Sequence, residues 1–353
     1  MAKLGYLPSE KFNTLIETLS KKIRVFVPCQ DGDAVIFEPF DPAKTLCFDQ
    51  PATIPPKAVI FPQTDILFTF NQQKDPEDPK KTSTDLKENL EFPPTIIFGA
   101  RPCDAKGFLI YDRPYLDTDT PDPYYKGRRE KTTIITLACT APSPGCFCTS
   151  VGGGPADKEG SDLIMTKLES GYFFEAITEK GEKILQEAVL EDGSSYQDQA
   201  KKAQEAVADL VKKPFSTTDA LPEKILSLFD NDTFWEQEAA KCISCGACTY
   251  LCPTCYCFNI TDEQAGNSGE RIRTWDACMF YHFTLEASGH NPRPVKHQRL
   301  KNRVGHKFSY YPEKYDGAIA CCGCGRCIRS CPVSVDISEI VAHAQEYEND
   351  QNE

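Results

Sequence analysis

Two cysteine runs limit what this chain can fold into more than anything else in it. Cys242-Ile-Ser-Cys245-Gly-Ala-Cys248-Thr-Tyr-Leu-Cys252-Pro253 and Cys321-Cys322-Gly-Cys324-Gly-Arg-Cys327-Ile-Arg-Ser-Cys331-Pro332 share the spacing C-x2-C-x2-C-x3-C-P. Three thiols within seven residues let the backbone curl around one polynuclear centre, with its amides turned toward the sulfurs. Gly246, Gly323 and Gly325 allow the close approach and positive φ that such a curl needs. Pro253 and Pro332 turn the chain away after the fourth thiol.

The spacing is that of ferredoxins holding two [4Fe-4S] clusters, where the fourth cysteine of each run reaches the other run's cluster. The expected ligation is therefore crossed. Cys242, Cys245, Cys248 and Cys331 would hold one cluster; Cys321, Cys324, Cys327 and Cys252 would hold the second. Structural zinc is the competing reading of C-x2-C pairs. It needs four ligands, commonly as two separated pairs, and leaves the extra thiols of both runs without a purpose. Mutual disulfides do not suit runs this tightly spaced. Cys322 reads as a spectator, because Cys321 already satisfies the spacing.

Eighteen cysteines among 353 residues would point to a disulfide scaffold only in a short secreted chain. Met-Ala-Lys-Leu-Gly-Tyr offers no apolar signal-peptide core, and no stretch approaches the ~20 apolar residues of a membrane span. The expected setting is a reducing, oxygen-poor cytoplasm. A formal net charge of −13 argues against a general nucleic-acid binder. The acid-rich end, Glu346 to Glu353, reads as a solvated, frayed terminus.

Length favours two domains. Residues 1–230 alternate strand-like and turn-like pieces and predict an α/β (α+β) domain. Residues 231–353 predict a ferredoxin-like two-[4Fe-4S] domain with a long insertion at 253–320, the boundary falling between Pro214 and Asp232. A helix is expected after Pro8, on the spacing of Phe12, Leu15, Ile16 and Leu19. Strands are expected at 23–28, 33–38, 57–62, 66–70, 95–99 and 132–137, with a hairpin at 163–177. Residues 71–90, with Pro76 and Pro79, read as an exposed loop. Helix is expected over much of 179–240, including Tyr196–Lys213 and Thr233–Lys241, and again over Met279–Ala287.

A second constellation lies upstream. Cys103 follows one expected strand, and Cys139, Cys146 and Cys148 follow another in a loop tightened by Pro142, Pro144 and Gly145. Four thiols at neighbouring strand ends suffice for a third cluster or a zinc ion; the alternative is unligated, partly buried thiols. Cys255, Cys257 and Cys278 stand near the first run as candidate supporting or alternative ligands, while Cys29 and Cys47 read as small hydrophobes. No G-x-G-x-x-G follows a strand and the Gly152–Gly154 run is no P-loop, so no flavin or nucleotide site is expected on this chain. Between Ala287 and Pro312 there is no acidic residue, while Arg293, Lys296, Arg299, Lys301, Arg303 and Lys307 accumulate. That segment reads as a solvated charge run, as a neutraliser of the clusters, or as a dock for an acidic partner.

Pro55-Pro-Lys57, Gly99-Ala-Arg-Pro-Cys103-Asp, Cys146-Phe-Cys-Thr-Ser150, Cys248-Thr-Tyr-Leu-Cys-Pro-Thr-Cys-Tyr-Cys-Phe258, Trp275-Asp-Ala-Cys278, Ala287-Ser-Gly-His-Asn-Pro-Arg293 and Gly323-Cys-Gly-Arg-Cys-Ile-Arg329 together carry a resemblance. The chain resembles the beta subunit of cytoplasmic sulfhydrogenases and the corresponding iron–sulfur subunit of anaerobic sulfite reductases. It is also similar to the iron–sulfur subunit of flavin oxidoreductase modules that feed heterodisulfide reductases. The resemblance implies an electron-transfer subunit beside a separate FAD- and NAD(P)H-binding flavoprotein, passing electrons to a terminal reductase or hydrogenase. A self-contained reductase acting at the upstream cysteines, or a zinc-binding scaffold, are the readings against which this one stands.

Overall fold

Ten strands of the first 200 residues and two from the insertion build two sheets in the computed structural model, which describes residues 3–348 apart from 79, 189, 217 and 218. The strands are β1 (Leu4–Pro8), β2 (Arg24–Asp31), β3 (Ala34–Pro39), β4 (Thr64–Lys74), β5 (Thr82–Glu88), β6 (Thr95–Ala100), β7 (Thr132–Leu137), β8 (Leu163–Lys167), β9 (Gly171–Ala176), β10 (Glu191–Asp192), β11 (Phe258–Ala265) and β12 (Ser268–Trp275). Pro79 and the acidic residues beyond 348 lie outside the described residues.

The large sheet runs β10-β1-β9-β8-β7-β6-β2-β3. Its centre is parallel and both margins are antiparallel. Every residue of β6 is buried, as befits a strand covered on both faces. Alternation divides its side chains between two cores. Ile96, Phe98, Ile135 and Leu137 pack against the helix Phe12–Ser20, whose buried Phe12, Leu15, Ile16 and Leu19 fall at the expected spacing. Ile97, Ala100 and Ile134 meet Phe108, Tyr111 and Tyr125 on the opposite face.

Parallel β6 and β7 end side by side, so Arg101–Cys103 and Ala138–Cys139 emerge at one edge. The helix Pro102–Tyr115 starts there, with Pro102 in its first turn and the Arg101 amide donating to Asp104 Oδ2 at 3.0 Å.

The second sheet runs β11-β12-β4-β5. The insertion's hairpin thus pairs with the first half of the chain, Ile272 opposite Ile66. Buried Arg273 locks it there, donating to Asp65 Oδ2 at 2.8 Å and Asp122 Oδ2 at 2.6 Å, while Arg128 binds Asp65 through both its terminal nitrogens. This pairing corrects the expected loop at 71–90. Much of that segment is strand, exposed along all of β5, and its polar sequence carries no sign of the partner that extends it. Two other expectations also fail. Residues 57–62 hold a single 3₁₀ turn, Pro56–Val59, since Pro55 and Pro56 fix the backbone before a strand can form. The stretch 279–287 holds only the turn Tyr281–Thr284.

A third core joins the two halves. Phe147, Val151 and Phe215 pack with Trp235, Met279, Leu300, Val304, Phe308, Ile340 and Val341. No helix among the described residues is long and apolar enough to cross a membrane.

Candidate iron–sulfur centres

The two runs fold alike. Ser244 and Gly323, each two residues after the first cysteine, take φ of 56° and 61° and aim their amides at Cys242 Sγ (3.4 Å) and Cys321 Sγ (3.5 Å). Gly246 and Gly325 follow at φ 77° and 70° and open the short helices Ala247–Tyr250 and Arg326–Arg329, which carry Cys248 and Cys327. Past the fourth cysteine of the second run, the Val335 amide reaches Cys331 Sγ at 3.2 Å. Amides converging on sulfur stabilise thiolate ligands.

One cavity is lined by Cys242, Cys245 and Cys248 from the first run together with Cys331 and Cys327 from the second, and closed by Met279, Leu300, Ile337 and Ile340. Around Cys327 the charged neighbours are Arg303 and the thiols of Cys252, Cys324 and Cys321. The four thiols of the first expected set thus share one cavity, and Cys327 both reaches that cavity and neighbours the other thiols of the second set. Four thiols around a cavity suit a polynuclear cluster, whose ligands stand further apart than those of one tetrahedral zinc.

The glycines serve a purpose beyond the one expected of them. A Cβ on Gly323 would stand 2.6 Å from the Cys148 backbone, and one on Gly325 would stand 2.5 Å from the Gly145 carbonyl. The upstream cysteine loop lies directly against the second run, tied by the Phe147 amide to the Gly323 carbonyl at 2.8 Å. Cys139, Cys146 and Cys148 are mutual neighbours in it, and Cys103 joins through Cys139. Burial pushes the Cys148 thiol up to about 12 and raises Cys103 and Cys139 as well, so bare thiols here stay protonated. The residues gathered suit a third centre beside the second run.

Cys322, outside the expected ligand sets, hydrogen-bonds to Cys324 and holds that thiol below the ordinary range. Cys255 does the same for Cys252, whose pKa falls well below normal. Cys278 pairs with Cys257, and its sulfur lies 3.8 Å from Thr249 Oγ1. Cys29 is buried within β2.

The basic segment turns inward. Arg299, Arg303 and Lys307 are 7%, 3% and 3% exposed. Arg299 donates to the Met279, Arg293 and Pro294 carbonyls, and Lys296 to those of Ala240 and Cys242. Buried Arg299, Arg303 and Lys307 thus present no charge to a docking partner, and Arg299 and Lys296 clamp the backbone around the first run. Lys57 escaped the sequence reading of charge, although it stands in a shared motif. Its ammonium lies 4.2 Å over the Trp275 ring and donates to the Cys255 carbonyl at 3.0 Å, and burial lowers its pKa to about 8. Arg326 was hidden in the same way. It is 1% exposed and lies 2.7 Å from Asp104, with a hydrogen bond from Nη2 to Oδ2 at 3.2 Å.

Comparison with known proteins bears on the same region. Residues 241–335 match the family described as a 4Fe-4S dicluster domain. No solved structure matches the chain. Sulfhydrogenase 2 subunit beta of Pyrococcus furiosus is 30% identical over 349 residues, which cover 96% of this chain and 98% of that one. Similarity on that scale reaches far beyond the two cysteine runs and takes in the upstream loop, the hairpin and the basic helix, so the chain belongs to the iron–sulfur subunit family of the sulfhydrogenase beta subunit.

Proposed function

We propose that this chain is an electron-transfer subunit of a cytoplasmic oxidoreductase complex. It would relay electrons between a partner FAD- and NAD(P)H-binding flavoprotein and a terminal reductase or hydrogenase. Cys242, Cys245, Cys248 and Cys331 would hold one [4Fe-4S] cluster, Cys321, Cys324, Cys327 and Cys252 a second, and Cys103, Cys139, Cys146 and Cys148 a third. When bound, such clusters supply one-electron transfer. Residues 1–230 and 231–353 would be the two units of the chain, sharing the insertion's hairpin.

The observation that carries this reading is the order of the cysteine groups. The upstream loop touches the second run through Phe147 and Gly323, and Arg303 stands between Cys248 of the first set and Cys327 and Cys252 of the second. At the far end of this row Cys245 is exposed, the only exposed cysteine among the described residues. An internal row of thiol sites ending at the surface suits passage of electrons better than conversion of a bound substrate.

Pyridine nucleotides deliver two electrons as hydride, and a flavin is the usual converter to single electrons. The isolated chain is therefore expected to stay oxidised with NADH or NADPH and to bleach rapidly once its flavoprotein is added under anaerobic conditions. Rapid reduction by NADH alone, without bound flavin, would sink the relay in favour of a self-contained reductase.

A further inference from the structure

The helix Lys296–Gly305 does not end at a cap. It runs on through a π-helical turn, His306–Tyr310, into Tyr311–Lys314. Such turns are rare, and they cluster where a side chain serves function. This one carries Lys307. Its buried ammonium donates to Thr254 Oγ1 at 2.7 Å, to the Ala320 carbonyl at 2.9 Å and to Cys252 Sγ at 3.5 Å. Those three partners account for all three protons.

One turn earlier, Arg303 gives Nη2 to the Cys248 carbonyl at 3.0 Å. Its Nε is buried without a hydrogen-bond partner in the wall of the cavity lined by Cys242, Cys245, Cys248 and Cys331, which Cys327 also reaches. The strongest electrostatic neighbours of both cations are cysteine thiols, and Lys307 also faces Arg303. Buried cations so placed call for a negative counterpart, and a cluster with four thiolate ligands provides one.

The two centres are not treated alike. Backbone amides reach sulfurs of both sets, from Ser244 and Val335 in the first and from Gly323 in the second, but Cys245 of the first is open to solvent. In the second set Cys252 and Cys321 are buried, and Cys252 is in contact with a full positive charge. Burial alone would make the inner centre harder to reduce, because an added electron is poorly solvated there. A cation at hydrogen-bond distance from a ligand sulfur acts in the opposite direction and at much shorter range.

We propose that Lys307 raises the reduction potential of the centre held by Cys252, Cys321, Cys324 and Cys327 above that of the solvent-facing one, so that electrons collect on the inner centre. Arg303 supplies charge to both. This rests on the ligand sets proposed above.

The test is an EPR-monitored redox titration of the anaerobically purified, cluster-loaded protein. Lys307→Met is expected to lower one midpoint by about 59 mV or more, which is a tenfold change in the reduced-to-oxidised ratio of a one-electron couple. The other midpoints stay in place, and Lys307→Arg keeps them all. Unchanged midpoints in Lys307→Met, or equal shifts of all of them, overturn the proposal. If Lys307→Met loses a cluster, Lys307→Arg decides. The parent's full cluster content at its original potentials supports the charge; a lost cluster or a displaced midpoint defeats it. Cys331→Ser separates the ligand assignment from the charge, because it should remove the cluster that Lys307 does not affect. Loss of the Lys307-sensitive signal in Cys331→Ser would count against the assignment alone.

Discussion

Arg326 and Asp104 stand 222 positions apart in the sequence and form an ion pair with both side chains 1% exposed. Breaking a buried pair by deleting one partner strands the other charge, at a cost of about 3–5 kcal/mol. Arg326→Met should therefore destabilise the chain by that order. Adding Asp104→Asn, which neutralises the stranded charge and keeps an acceptor for the Arg101 amide, should restore a large part of it. Anaerobic urea unfolding of the single and double variants measures both, and a double variant no better than the single one would contradict the account. Both residues stood in motifs visible in the sequence, yet nothing there announced that they were partners. The same holds for Arg299, Arg303 and Lys307. A run of positive charge without acids looks like surface, because burial of a cation depends on what the rest of the chain brings to meet it.

Short elements were legible where covalent spacing alone dictates geometry. The repeated turn at Ser244 and Gly323 follows from where the thiols stand, and the helix Phe12–Ser20 and strands β6 and β7 follow from periodicity. Strand β5 was not legible because its polar, fully exposed sequence lacks the alternation of a half-buried strand, and the place of hairpin β11–β12 was not because its partner β4 lies about 200 residues away. The contact of the upstream loop with the second run belongs to the same class. It yields a test of the third centre. Iron and acid-labile sulfide near twelve each per chain are expected for three cubanes, against about eight for two. Gly323→Ala, whose new methyl would stand 2.6 Å from the Cys148 backbone, is expected to lower that content by about four as the loop is pushed away. Content of eight in the parent protein would remove the third centre from the proposal.

At the scale of the molecule, the two halves are interleaved rather than strung together. The insertion's hairpin is bound to β4, and one hydrophobic core draws Phe147 and Phe215 together with Trp235, Phe308 and Ile340. A single cooperative unfolding transition is expected of the loaded protein, with absorbance of the clusters and far-ultraviolet circular dichroism lost together. Two separated transitions would instead mark independent domains. A fragment ending near Asp230 would lack most of that shared core and is a poor vehicle for the upstream site.

The gathering of Cys331 beside Cys242, Cys245 and Cys248, with Cys252 beside Cys321, Cys324 and Cys327, also has a bearing on biosynthesis. Neither of the proposed ligand sets is complete until the second run has left the ribosome. The first run must wait through synthesis of the whole insertion with its thiols exposed to oxidants and to stray metal ions. On the proposed ligation, delivery of iron to either centre is thus expected only after the chain has been made through Cys331.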